Sequence, residues 1–434
     1  MATQTSFNKF LSNIEPSNST VDYISSVQTN LRDYLKSHDI YKKVFIDSFL
    51  SGSYAKHTSI RPVKNSSKRD VDIIIVTNHD KSEDSSKVLN ELKNVLTESS
   101  KYSSAIVQHH SVGVELADIS IDVVPAIEDE DDSSLYYICD SKSGDWILSD
   151  PKGHKEWSTE INKNKNEKYK PLVKIFKWWR FKNCPTSIKY PKGITLEKII
   201  ADNIGDSVLS TEELLIETIQ NIITNYKEDY VDKGILPVIE DPSTKIEEND
   251  LLEGYLFSSF SAFIKKLEEH SKKLNMSGTD NDVWREILGD EFPKSTSVSP
   301  SDSQKRCISA SHRLKPMWQI KYGGSVFISL KVLNNVNQVV NYTSDGEPLD
   351  KNCKLFFKAV TTLKEPFQVK WQVTNTGFEA RSAKCLRGGF EDSNDGRMGR
   401  YEQTAYTGCH SVQCFIIRNG ACIAKSRDYI INVK

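Results

Sequence analysis

Two aspartates one residue apart, Asp70 and Asp72 in RDVDIIIV, open a strongly apolar run. On a β-strand, residues two apart share a face, with Cα atoms about 6–7 Å from each other. That separation suits shared ligation of a metal ion. The IIIV segment behind them implies a strand covered on both sides, so charges here belong at the strand end or beside cations. Asp122, in ISIDVVPAI, supplies a third carboxylate on a second strand; if the two strands are neighbours, three acids converge. Asp118 has the same strand parity and is an alternative third acid. Three such carboxylates can hold two Mg²⁺ or Mn²⁺ ions about 3.5–4 Å apart, one to activate a hydroxyl and one to balance a departing pyrophosphate. Upstream, Gly52 and Ser53 form a small, donor-rich turn. Glycine lets the backbone approach a phosphate, and the Ser53 hydroxyl and nearby N–H groups donate to its oxygens. A lone D-x-D or Gly-Ser is weak evidence; their combination is far more specific.

These residues need a scaffold. VFIDSFLSGS reads as a strand ending at the turn, preceded by an amphipathic helix from Val21 with Ser19 or Thr20 as its cap. VDIIIV is a buried strand and SSKVLNELKNVLTESS a helix. SAIVQHHSVGVEL and ADISIDVVPAI read as two further strands, the second stopped by Pro125. From about 154 to 290 apolar residues recur at helical steps, as in KPLVKIFKWWRFKN and STEELLIETIQNIITNY. PKSTSVSPSDSQ, 293–304, is Ser/Pro-rich and reads as a linker. Beyond it, GGSVFISLKVL, FQVKWQVTN and TAYTGCHSVQCFIIRNG have the texture of an all-β sandwich. The fold class is α+β, with a mixed-sheet lobe at 1–165, a helical lobe at 166–292 and a β domain at 305–434.

The 434 residues exceed what one core serves, which agrees with several domains. A net charge of −2 argues against bulk-charge binding of nucleic acid. Twelve Lys/Arg against three Glu between Lys152 and Lys192 form a basic stretch, read first as a solvated face. The eight cysteines include no CxxC pair, and Cys409, His410 and Cys414 do not have zinc-motif spacing, so reduced, mostly buried thiols are expected. With no signal pattern or long apolar run in the sequence, a cytoplasmic protein without a membrane segment is expected.

GSYAKHTSIRP, RDVDIIIV and SIDVVPAI together resemble the motifs of template-independent nucleotidyltransferases of the polymerase-β superfamily. Within it they resemble the bacterial SMODS proteins, synthases of cyclic oligonucleotides related to animal cyclic GMP-AMP synthase. The resemblance implies a polymerase-β-like lobe, NTP substrates including ATP, and Asp70, Asp72 and Asp122 as catalytic ligands of two Mg²⁺ ions. It implies Gly52 and Ser53 on the donor β- and γ-phosphates. It also implies Lys174 and Lys177, three apart in LVKIFKWWRFKNC, facing that triphosphate. It further implies a product read by an effector protein in anti-phage signalling. Thr58 matches a family position near the turn, whereas Gly193 stands where many members carry a small polar residue or Gln. Asp241, in a segment resembling the family's Asp-Pro motif, reads as structural. The C-terminal part resembles the AGS-C sensor domain at Trp371, Asn375, Arg387, Glu402, Tyr406 and His410, each as readily structural. Two other readings stay open: an RNA or tRNA 3′-end nucleotidyltransferase, and a catalytically silent nucleotide sensor.

Overall fold

The structure is a computed structural model that describes residues 4–63, 68–205, 209–246, 248–277, 280–294, 307, 309–321, 323–361 and 363–434. The chain begins with helices α1 (Gln4–Ile14) and α2 (Asn18–Ser37), the latter capped by Ser17, whose hydroxyl accepts the Thr20 N–H. The helix starts three residues earlier than the expected Val21. Strand β1 (Phe45–Ser51) runs into the one-turn helix α3 (Gly52–Ala55), then β2 (Arg69–Thr77) and helix α4 (Ser85–Thr97). Strands β3 (Ile106–Val107), β4 (Val112–Glu115), β5 (Ile119–Glu128), β6 (Tyr136–Cys139) and β7 (Trp146–Ser149) complete a seven-stranded mixed sheet. Its central strand is β5; β2 lies between β5 and the edge strand β1, parallel to the former and antiparallel to the latter.

Two sequence expectations change here. SAIVQHHSVGVEL is not one strand but the hairpin β3–β4, closed where Gln108 N–H donates to the Ser111 carbonyl at 2.8 Å. Pro125 does not stop β5 either. On the edge away from β2, β4 pairs with β5 only up to Val123 and β6 only from Ala126, so Pro125 falls in the gap where no ladder N–H is required.

Alternation along β2 divides the sheet. Val71, Ile73 and Ile75 pack with Ile24, Leu31, Val88 and Leu92 of α2 and α4. The opposite face takes Ile74 and Val76, together with Ala126 and Tyr136. Asp70 and Asp72 share the parity of that second face, turned away from the two helices.

Helices α5 (Pro151–Asn164), α6 (Tyr169–Asn183), α7 (Gly193–Asn203), α8 (Thr211–Tyr226), α9 (Phe257–Ser277) and α10 (Asn281–Leu288) form the second lobe. Its core includes Trp178, Trp179, Ile199, Leu215, Phe263 and Trp284. Phe7, Phe10 and Ile14 of α1 also belong to this core, and Trp157 and Ile161 of α5 pack on it. The first and last elements expected in the sheet lobe therefore join the helices, because their apolar faces match that core.

The β domain is a sandwich of a four-stranded and a six-stranded sheet among the described residues. The two share a core that includes Phe357, Trp371, Val412 and Ile431. Arg427 of this domain forms an ion pair with Glu212 of α8. Residues 295–304 of the expected linker lie outside the described residues. No helix among the described residues is long and apolar enough to cross a membrane.

Candidate active site

The register of β2 against β5 sets Asp122 directly opposite Asp72, with Ser120 opposite Asp70. Parallel neighbours in register turn the same parity to the same face, so the three acids converge. One carboxylate oxygen from each of Asp70, Asp72 and Asp122 lies within 4.8 Å of the others. Asp118 is exposed ahead of β5 and takes no part in this cluster.

Burial, and then mutual repulsion, shape the titration of this triad. Asp72 is pushed up to about 7 by burial first and by the charges of Asp70 and Asp122 next. Asp122 is pushed up to about 6 by burial and then by Asp70, tempered by the Ser111 and Gln108 side chains beside it. Asp70 is also raised by burial, with Lys192 opposing. Three carboxylates held this close with their charges unbalanced call for a cation. Asp122 Oδ1 is buried without a hydrogen-bond partner among the described residues. An all-oxygen set with an orphaned carboxylate oxygen fits hard divalent ions of the Mg²⁺ or Mn²⁺ kind.

The turn comes next. Ser51, the last residue of β1, pairs with Asp72, so the chain leaves the sheet at the triad. Gly52 then adopts φ +61°, and a β-carbon there would lie 1.8 Å from Asp72 Oδ2. Ser53 lines the same cleft as Asp70 and Asp72, a cavity of about 810 Å³ between the sheet and helical lobes.

Lys177 of α6 reaches this cleft, but not as a free cation. Its Nζ donates to Glu197 Oε1 at 2.6 Å and to Thr58 Oγ1 at 2.9 Å. Lys56 contacts the other Glu197 oxygen at 2.7 Å. Burial would raise Glu197, yet Lys177 and Lys56 outweigh it and hold the carboxyl at about 2. The cluster carries one net positive charge facing Asp72, whose pKa both lysines lower. Lys174, one turn earlier, instead pairs with Glu15 at 2.8 Å and does not line the cleft. Gly193 (φ +56°) does line it, with open space where a β-carbon would stand. Asp241 accepts the Ser243 N–H at 2.9 Å and contacts His154 Nε2 at 2.7 Å, a structural role.

Glu197 and Lys56 were not singled out from the sequence. A signal existed: in TLEKII, Glu197 interrupts an apolar helix face between Leu196 and Ile200, where an unpaired charge is not tolerated.

In the β domain, Asn375, Arg387, Glu402, Tyr406 and His410 line a second cavity of about 290 Å³. Arg387 is held there by Glu391 at 2.7 Å and Glu402 at 2.7 Å. Trp371 is fully buried in the sandwich core instead.

Residues 1–162 match the family model of the Second Messenger Oligonucleotide or Dinucleotide Synthetase domain, SMODS. Residues 309–434 match that of the Adenylyl/Guanylyl and SMODS C-terminal sensor domain. A cyclic AMP-AMP-AMP synthase from an Acinetobacter strain is 37% identical over 312 residues, covering 70% of this chain and 89% of that protein. Among solved structures, the Bradyrhizobium diazoefficiens CD-NTase CdnG in complex with GTP has a TM-score of 0.55 at 12% identity, covering 67% of this chain and 96% of that one. CdnC of E. coli with ATP has a TM-score of 0.54 at 16% identity, covering 68% and 99%. At these identities the two structures establish likeness of fold.

Proposed function

This chain belongs to the SMODS family of cyclic-oligonucleotide synthases, the CD-NTases, and is a nucleotidyltransferase; on that premise we propose that it joins NTPs into a cyclic oligonucleotide with release of pyrophosphate. The observation that carries the reading is the register of Asp122 against Asp72, with Asp70 two residues earlier on the same face. Two divalent ions bound by this triad would activate the acceptor hydroxyl and offset charge on the donor triphosphate.

The chain's own groups do the rest. Gly52, lacking a side chain, keeps Asp72 in place and leaves room for a donor phosphate, and Ser53 offers that phosphate a hydroxyl and an N–H. Lys177, already oriented by Glu197 and Thr58, presents its charge to the triphosphate without having to be immobilised on binding. Asp122, whose Oδ1 has no hydrogen-bond partner among the described residues, is the acid we assign to the acceptor hydroxyl as its proton leaves. No covalent enzyme intermediate is required, since in-line attack within the cleft suffices.

ATP is the first substrate to test and cyclic AMP-AMP-AMP the first product to seek, because a relative at 37% identity is named for that product. Within the same proposal, the product is a second messenger of bacterial anti-phage signalling, read by a separate effector protein.

The decisive experiment incubates pure protein with all four NTPs and Mg²⁺ or Mn²⁺ and identifies products by mass spectrometry. Cyclic, phosphatase-resistant products are expected, and none from the Asp70→Ala, Asp72→Ala double variant. Label carried only onto added tRNA, or wild-type yields from the double variant, would overturn the reading.

A further inference from the structure

We propose a second metal site, for one d-block divalent ion such as Zn²⁺, built from His109, His110 and Asp140 at the wall of the cleft. Consecutive residues of a strand point to opposite faces. The turn that closes β3 onto β4 breaks that alternation and brings the two imidazoles together, with ring centroids 3.8 Å apart and planes inclined by 32°. Asp140, just after β6, closes the set: its Oδ1 lies 3.0 Å from His109 Nε2. One donor atom from each of the three residues falls within 4.8 Å of the others. Ligands around a tetrahedral Zn²⁺ at about 2.0–2.1 Å stand about 3.3 Å apart, so little movement completes the site.

The surroundings hold the donors in a ligating state. His110 Nδ1–H donates to the Cys139 carbonyl at 2.8 Å, which leaves Nε2 as the lone-pair nitrogen. A ligand histidine is commonly fixed by such a carbonyl. The two ligand segments are also stitched together, Ser141 N–H donating to the His109 carbonyl at 2.9 Å. Asp140 N–H in turn donates to Ser85 Oγ at 3.1 Å.

Donor chemistry separates this site from the carboxylate triad. Two imidazoles and one carboxylate select Zn²⁺, Co²⁺ or Ni²⁺, whereas three carboxylates select Mg²⁺ or Mn²⁺. Three protein ligands leave a coordination position open, and His110 lines the catalytic cleft. The same turn carries Gln108 and Ser111, the side chains beside Asp122. An ion on His109 and His110 therefore steadies the surroundings of the third acid.

The test uses the full chain, stripped with chelator and kept in excess Mg²⁺, titrated with Co²⁺ as a spectroscopic probe and then with Zn²⁺. One equivalent of Co²⁺ with tetrahedral visible bands, displaced by Zn²⁺, is expected. His110→Gln and Asp140→Asn should weaken Zn²⁺ binding at least about tenfold, while Asp72→Asn retains it. On the wild-type protein, Zn²⁺ should shield His109 and His110 from diethyl pyrocarbonate, a readout independent of how any variant folds. Absence of Co²⁺ bands, bands lost in Asp72→Asn but kept in His110→Gln, or unshielded histidines would each overturn the proposal.

Discussion

Gly52 stands so close to Asp72 that a β-carbon on residue 52 would lie 1.8 Å from the Asp72 Oδ2 atom. The turn and the first acid pair are thus one steric unit, with the strand pair Ser51–Asp72 as its hinge point.

Gly52→Ala should therefore act on chemistry more than on folding. The left-handed backbone at φ +61° costs an alanine roughly 1–2 kcal/mol. Displacing the Asp72 carboxylate by about an ångström should cost about a hundredfold in turnover. Steady-state NTP consumption beside a denaturant melt checks both; near-normal turnover in a folded Gly52→Ala protein would contradict the contact.

Asp72 and Asp122, raised to about 7 and about 6, predict how pH acts on the metal-free chain. Between about pH 4 and pH 7 the folded state retains protons that the unfolded state has released, so stability falls as pH rises through that window and levels off above it. Asp72→Asn should flatten the slope. Mg²⁺ must displace those protons, so its affinity should climb as pH rises towards about 7. Melts in chelator at about pH 5 and pH 8, with calorimetric Mg²⁺ titrations in two buffers, measure both effects; equal wild-type stability at the two pH values would contradict the burial argument.

The lysines of α6 should separate. Glu197→Gln leaves Lys56 and Lys177 buried side by side, at a cost of about 3–5 kcal/mol. Lys177→Met should raise the KM for NTP and lower turnover. Lys174, paired with half-exposed Glu15, should matter little: about 0–1 kcal/mol for Lys174→Met and turnover within about threefold. A Lys174→Met variant as impaired as Lys177→Met would return Lys174 to the triphosphate.

The carboxylates were legible in the sequence because strand alternation is a local property: two residues apart means one face. That Asp122 would lie opposite Asp72 was legible only as a condition, since which strand neighbours which is decided by long-range pairing. The Lys56–Glu197–Lys177 cluster joins residues about 20 and 140 positions apart along the chain, beyond any local period. Pro125 misled for a related reason. A proline disturbs a strand only where a partner awaits its N–H, and the neighbouring β4 and β6 leave that place vacant. In LVKIFKWWRFKNC, helical spacing set Lys174 and Lys177 on one side, but not which of them reaches the cleft.

The first helix, α1, packs in the helical core, although the chain then builds the whole sheet before it returns through α5. Two covalent straps, at Glu15–Ser17 and at the Ser149–Asp150 entry to α5, consequently join the halves of the cleft. Halves joined by two straps turn about the line between them more easily than they twist out of alignment, which would suit the proposed joining of successive nucleotides at the same three acids. It also means that the chain cannot be cut near residue 165 into two self-sufficient pieces, because the distal fragment would lack Phe7 and Phe10 from its interior.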